Sequence, residues 1–210
     1  MKNANRFYRV FYHLARIALT AFRPLEVIGK ENIPDGAAIV CSNHSHMVDP
    51  FFIAFAFGID RNVHVIAKAE LFRIPVVSQV LEKLKMIRVD RGVLDATTVK
   101  STLGYLKNGE VVVIFPEGTR VSTDDAVTAK NGAVKIAERT AAPIVPLFLP
   151  RKKPYFKKVK LIIGEPYYIM KQSQKRSSDD YMSLSDTLMG IIKMLNPEHR
   201  TPEIIKKEWS

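Results

Sequence analysis

The first clear periodicity lies at the N-terminus. Between residues 5 and 23 the polar positions Arg6, Arg9, His13, Arg16, Thr20 and Arg23 recur every three or four residues, the spacing that lines one face of an α-helix. Phe7, Tyr8, Val10, Phe11, Tyr12, Leu14, Ile17, Leu19 and Phe22 fill the remaining face, which is broad and apolar. The pattern predicts an amphipathic helix ended by Pro24, which cannot continue it. Two placements suit it. The helix either packs on a globular body with its arginines in water, or lies in a membrane interface with aromatics at the acyl boundary and arginines at lipid phosphates. About 18 residues of helix rise roughly 27 Å, short of comfortable spanning. The Arg stripe would also have to be buried, so crossing the bilayer is not expected.

Beyond Pro24 the period switches repeatedly between two and 3.6. Short β-branched runs at 25–30, 37–42, 63–67, 86–89, 111–115, 144–149 and 159–163 read as strands. Helical patterns at 51–57, 75–83, 94–106, 130–139 and 178–195 alternate with them. Ile33-Pro34-Asp35-Gly36 and Asn108-Gly109 are turn signals. Asp49-Pro50 has the form of an N-cap followed by proline in the first helical turn. Val111-Val112-Val113-Ile114-Phe115 is apolar throughout, as a strand covered on both faces should be. The expected fold class is α/β: a layered domain with a mixed, largely parallel sheet flanked by helices. Residues 1–24 form the amphipathic segment and 25–210 the folded domain, with 171–180 as its loosest loop.

Composition narrows the function. The chain has 210 residues, 47% hydrophobic and 25% charged, the balance of a globular domain large enough to bury its own core. A single cysteine, Cys41, excludes a disulfide framework and a Cys-based zinc site. No uncharged run is long enough to cross a bilayer and no small-residue cleavage site follows the first segment, so neither a spanning nor a secreted chain is expected. The net charge of +11 is concentrated. Residues 1–30 hold six cations against Glu26, and residues 151–176 hold nine against Glu165. An anionic membrane surface, an anionic substrate or a nucleic acid are the partners such patches fit. The greasy helix face has no use on nucleic acid, which disfavours that partner.

In a sheet of this kind reactive groups collect where strands end and helices begin. The strand ending at Ser42 runs into Asn43-His44-Ser45-His46-Met47-Val48-Asp49. A carboxylate five residues after a histidine, across one turn, can hold one imidazole nitrogen and leave the other free to accept a proton. His44-x-His46, with His64 or Asp49, also admits a metal-hydrolase reading, although histidines in a turn do not share a face. Arg88, Asp90, Arg91 and Gly92 follow the 86–89 strand. Pro116-Glu117-Gly118-Thr119-Arg120 follows the 111–115 strand, offering a carboxylate, a hydroxyl, a cation and close backbone approach. Pro143 and Pro146 bracket Ile144-Val145, as at the start of an edge strand.

In this order, N-H-x4-D, V-D-R-G, F-P-E-G-T-R and P-I-V-P resemble the motifs of the glycerophospholipid acyltransferase family, over residues 27–163. The resemblance implies direct transfer from an acyl thioester to a lysophospholipid, with lysophosphatidic acid as the expected acceptor. By resemblance, His44 is the base and Asp49 its partner, while Asn43, Lys68, Arg91, Glu117, Gly118, Thr119, Arg120 and Pro146 contribute to substrate binding. It implies no tightly bound cofactor and no metal. Acyl-CoA or acyl-carrier protein is the co-substrate, the 151–176 patch suiting the acidic carrier. An enzyme with this chemistry is expected on the cytoplasmic face of the cell membrane, peripheral or monotopic. Two positions depart from the pattern. The serine expected directly after the third-motif arginine is Val121 here, with Ser122 one place later. Lys85 stands where a small residue is usual.

Overall fold

A computed structural model describes residues 6–90, 95–123 and 128–199. The N-terminal helix α1 is Arg6–Phe22. Then follow β1 Leu25–Ile28, β2 Ala38–Ser42, α2 Asp49–Phe57, β3 Val63–Lys68, α3 Pro75–Lys83, β4 Ile87–Val89 and α4 Ala96–Lys107. The second half runs β5 Val111–Ile114, α5 Gly132–Thr140, β6 Ile144–Phe148, β7 Val159–Ile163 and α6 Ser178–Met194. Short 3-10 turns cover Lys30–Asn32, Ala69–Arg73 and Pro197–His199.

The seven strands form one sheet in the order β1-β7-β6-β2-β5-β3-β4. From β6 to β4 all neighbours are parallel, β7 runs antiparallel to β6, and β1 runs parallel to β7. The sheet is mixed and largely parallel, with helices on both faces. Along β2 the side chains alternate between two cores. Ala38 and Val40 join Tyr12, Phe52 and Phe55 under α1 and α2, while Ile39 and Cys41 face α5 and α6 with Ile136, Leu188 and Ile192. Helix α2 (DPFFIAFAF) is apolar on every side because it is enclosed, and six of its nine residues are buried. α4 is capped by Asp95, whose carboxylate accepts from the Thr98 N–H at 2.7 Å.

Three local expectations change. β1 stops at Ile28 because Gly29 takes φ +78°, and a Cβ there would fall on the Ile163 carbonyl oxygen. β6 lies between β7 and β2, so Pro146 sits in an interior strand. Its carbonyl accepts from Gly164 N–H at 2.8 Å, and its ring fills the space beside that glycine. The 171–180 stretch is pinned at its end: Arg176 pairs with Glu138 and donates to the Met170 carbonyl, and Ser177 and Asp180 form the capping box of α6.

Candidate active site

The carboxyl ends of β2, β3, β5 and β6 open on one edge of the sheet, and the residues that leave these ends meet around His44. Asn43 continues β2 by side chain: its amide donates to the Leu149 carbonyl at 2.7 Å and accepts from the Leu149 N–H at 2.9 Å. The exits of β2 and β6 are thereby tied together. The main chain of His44 is held by the segment after β5. Its N–H donates to Glu117 Oε2 at 2.8 Å, and its carbonyl accepts from Val121 N–H at 2.8 Å. Glu117 is in turn paired with Arg151 at 2.6 Å, and Arg151 also donates to the Val121 carbonyl. Both members of this pair are almost fully buried, where an ion pair persists only with satisfied partners.

The imidazole of His44 stacks on Phe115, ring centres 4.0 Å apart, and its Nδ1 lies 3.0 Å from Asp49 Oδ2. An ionised carboxylate can only accept, so Nδ1 carries a proton, and in the neutral ring Nε2 then presents a lone pair. Nε2 has no hydrogen-bond partner among the described residues, and the side chain keeps 17% exposure. That is the disposition of a base waiting for a substrate proton.

Asp49 does not cap its helix as expected. Val48 occupies the N-cap position, and Asp49, already helical, turns its carboxylate back onto the preceding turn. Oδ2 accepts from the Ser45 and His46 N–H groups, each at 2.8 Å, besides His44. Oδ1 forms an ion pair with Lys153 Nζ at 2.8 Å. Burial pushes the carboxyl pKa up, but the His44 hydrogen bond, the Lys153 charge and the His46 N–H outweigh it, so the group lies below the ordinary carboxylate value. Lys153 also donates to Ser45 Oγ at 2.9 Å and to the Pro150 carbonyl. Burial pulls its pKa down, against the pull of Asp49.

The remaining candidates divide into two groups. Lys68 at the end of β3, Thr119 and Arg120 are exposed at the same strand ends as His44, and Arg120 is close enough to act on the His46 charge. Gly118 has φ +65°, and a Cβ would meet the Lys130 side chain at 2.6 Å, so the turn that presents Thr119 and Arg120 requires glycine. Asn43, Glu117 and Pro146, expected at the substrate, are buried with their polar atoms bonded to the scaffold. Asn43 and Glu117 sit behind His44, and Pro146 lies within β6. Arg91 lies outside the described residues.

The metal alternative finds no geometry: among the described residues no three His, Cys, Asp or Glu side chains converge. His64 is engaged elsewhere, between the Lys85 carbonyl and Glu110, and stacks on Tyr105. Cys41 is fully buried within β2, and burial raises its thiol pKa far above the ordinary value. Sequence reading missed Arg151 and Lys153 as site residues because they open a run of surface cations. The signal was their position at the exit of β6, three and five residues beyond the strand, where the entrance prolines drew attention instead.

An acyltransferase family model matches residues 24–149. The chain belongs to this acyltransferase family. Over 195 residues it is 34% identical to the 1-acyl-sn-glycerol-3-phosphate acyltransferase of Bacillus subtilis, covering 90% of this chain and 96% of that one. A relative of the same name in Borreliella burgdorferi is 34% identical over 134 residues, 62% of this chain and 52% of that one. The crystal structure of the 1-acyl-sn-glycerophosphate (LPA) acyltransferase PlsC from Thermotoga maritima superposes with a TM-score of 0.66 at 26% identity, covering 92% of this chain and 80% of that one.

Proposed function

We propose that the chain transfers an acyl group from a thioester to the sn-2 hydroxyl of 1-acyl-sn-glycerol 3-phosphate, giving phosphatidic acid. The observation that carries this reading is the His44–Asp49 pair, with Nε2 open at the strand ends and the exposed Thr119–Arg120 turn tied to the His44 carbonyl through the next residue, Val121. His44 Nε2 takes the hydroxyl proton as the oxygen attacks the thioester carbonyl. The C–S bond then breaks, and the imidazolium returns its proton to the leaving thiolate. Asp49 keeps the ring in the tautomer this requires and stabilises the charge it acquires. No enzyme thiol is needed, and Cys41 has no access to substrate. Arg120 holds the acceptor phosphate together with Arg91, and Lys68 adds a third cation to that side. Asn43 and Glu117 serve by fixing His44. The donor is acyl-CoA or acyl-carrier protein.

We also assign the membrane contact to α1. Its apolar face is split in two: Tyr8, Tyr12, Ala15 and Leu19 pack on the core, while Val10, Leu14 and Ile17 stand half to two-thirds exposed. That second stripe lies on the side of the helix away from the packed face, bordering the row of arginines. Phe22, Tyr155 and Phe156 extend it as an exposed aromatic cluster flanked by Lys152, Lys157 and Lys158. Aromatics ringed by cations suit an anionic lipid surface. Among the described residues no helix is long and apolar enough to cross a membrane.

The test is an assay of the full chain on anionic liposomes with lysophosphatidic acid, glycerol 3-phosphate or another lysolipid as acceptor and each donor in turn. Phosphatidic acid formed from lysophosphatidic acid, and abolished by His44→Ala in a protein that still melts cooperatively, is the expected result. Wild-type turnover in that variant, or preference for another acceptor, overturns the reading.

A further inference from the structure

The basic run at 151–176 contains one lysine that cannot belong to a docking surface. Lys153 and Asp49 both have fully buried side chains, and the Lys153 ammonium has three oxygen neighbours: Asp49 Oδ1, Ser45 Oγ and the Pro150 carbonyl. Two of these are hydrogen bonds, to Ser45 Oγ and the Pro150 carbonyl, and the third is the ion-pair contact with Asp49 Oδ1 at 2.8 Å. Asp49 is the only formal charge among those neighbours, and His44 is on the other oxygen of the same carboxylate. From the reading of His44 as base, we infer that Lys153 is a positioning residue, which fixes the Asp49 carboxylate as an anion aimed at the imidazole and offsets its charge.

Two consequences separate this from simple packing. The three hydrogen bonds on Oδ2 anchor one oxygen of the carboxylate, and the ammonium 2.8 Å from Oδ1 opposes rotation of the other about the Cβ–Cγ bond, which keeps Oδ2 directed at His44. An uncompensated Asp49 would also favour the imidazolium form of His44, and a protonated base cannot accept the substrate proton. Among the described residues, other charges act on the neighbouring groups. Glu117 is paired with Arg151, while Arg23, Arg120 and Arg151 surround the His46 and Lys153 side and disfavour added positive charge. Lys153 is the cation in direct contact with the Asp49 carboxylate, so the offset falls to it.

The test compares Lys153→Met, Lys153→Gln and Lys153→Arg in the full chain. The two neutral variants are expected to lose about tenfold or more in kcat with little change in acceptor KM, and their acid limb should move to higher pH. Lys153→Arg, which keeps the charge, should recover most of kcat and the wild-type limb. Independently of any substrate, the His44 imidazole titration followed by NMR, assigned by its absence in His44→Ala, should move upward in the neutral variants. That readout stands even if the acyl-transfer reading fails. Neutral variants that only melt earlier, with kcat and the His44 titration unchanged, would overturn the proposal. So would a Lys153→Arg protein that behaves like Lys153→Gln. Failure of both neutral variants to fold would make Lys153 a scaffold residue and refute it equally.

Discussion

At the scale of single residues, the site separates groups that face substrate from groups that hold those groups still. Asp49→Asn should remove most activity in the liposome assay, because the amide cannot hold the Nδ1–H tautomer and the imidazolium together. It should also alter stability in acid. The folded-state pKa of Asp49 lies below its ordinary value, so its contribution is complete above about pH 4 and fades as pH falls toward the folded value. Wild-type protein should therefore lose melting temperature more steeply than Asp49→Asn in that range; parallel curves would show that Asp49 is not held as an anion. Glu117→Ala removes the buried carboxylate of the Glu117–Arg151 pair, a kind of change that costs about 3–5 kcal/mol. It also releases the His44 N–H. The expected result in denaturant unfolding is a large loss of stability accompanied by lower kcat. The motif residues themselves were legible, since a histidine and an aspartate across a turn carry their spacing in the sequence. Which of them face inward was not. Asn43 and Glu117 bond to Leu149 and Arg151, partners 106 and 34 positions away, and no local pattern reports such a pairing.

Helix and loop elements carry different kinds of information. The existence and order of the strands follow from β-branched runs punctuated by turns, and the 75–83 helix and 159–163 strand begin and end where the periodicity places them. The role of α1 is less direct. Its sequence shows two faces, polar and apolar, while the structure shows three, because the core covers only part of the apolar arc. Leu14→Asp and Ile17→Glu fall on the uncovered part. They should leave stability within about 0.5 kcal/mol and move the protein from the liposome pellet to the supernatant. Retained sedimentation would place the membrane contact elsewhere. The turn after β5 gives a second test. Gly118→Ala forces a strained φ and a collision with the Lys130 side chain, and should cost about 1–2 kcal/mol. Displacement of Arg120 should raise the acceptor KM more than it lowers kcat. The reverse split would argue against Arg120 as a phosphate ligand.

Across the whole molecule, the charge of +11 separates into parts with different tasks. Three of the cations in the 151–176 run, Arg151, Lys153 and Arg176, have buried side chains paired with carboxylates. The exposed ones, with the arginines of α1, remain available for lipid phosphates, and Arg120 stands apart at the site. Salt screens exposed charges far more than buried ones. Raising ionic strength should therefore release the protein from anionic liposomes before it affects acceptor KM, measured with detergent-dispersed substrate. An equal or opposite salt sensitivity would remove this division. The sequence showed where charge was dense along the chain, but not how the fold would sort it: just past β6 Arg151 and Lys153 turn inward, while Lys152 between them and the lysines beyond stay outside.

The join between α1 and the body has a practical consequence. Arg23, the residue after α1, donates to the Lys153 carbonyl at 2.8 Å and lies over the Tyr155 ring, while the Phe22 and Pro24 carbonyls accept from Phe156 and Val159. The greasy helix is thus riveted to the peptide that carries Lys153 beneath the His44–Asp49 pair. Trimming the chain before residue 24 to obtain a tractable soluble protein would withdraw a strut from beneath the His44–Asp49 pair along with the proposed membrane contact. A shortened protein that fails in solution assays should be repaired by polar replacements along Val10, Leu14 and Ile17 in the full-length chain, not by further shortening.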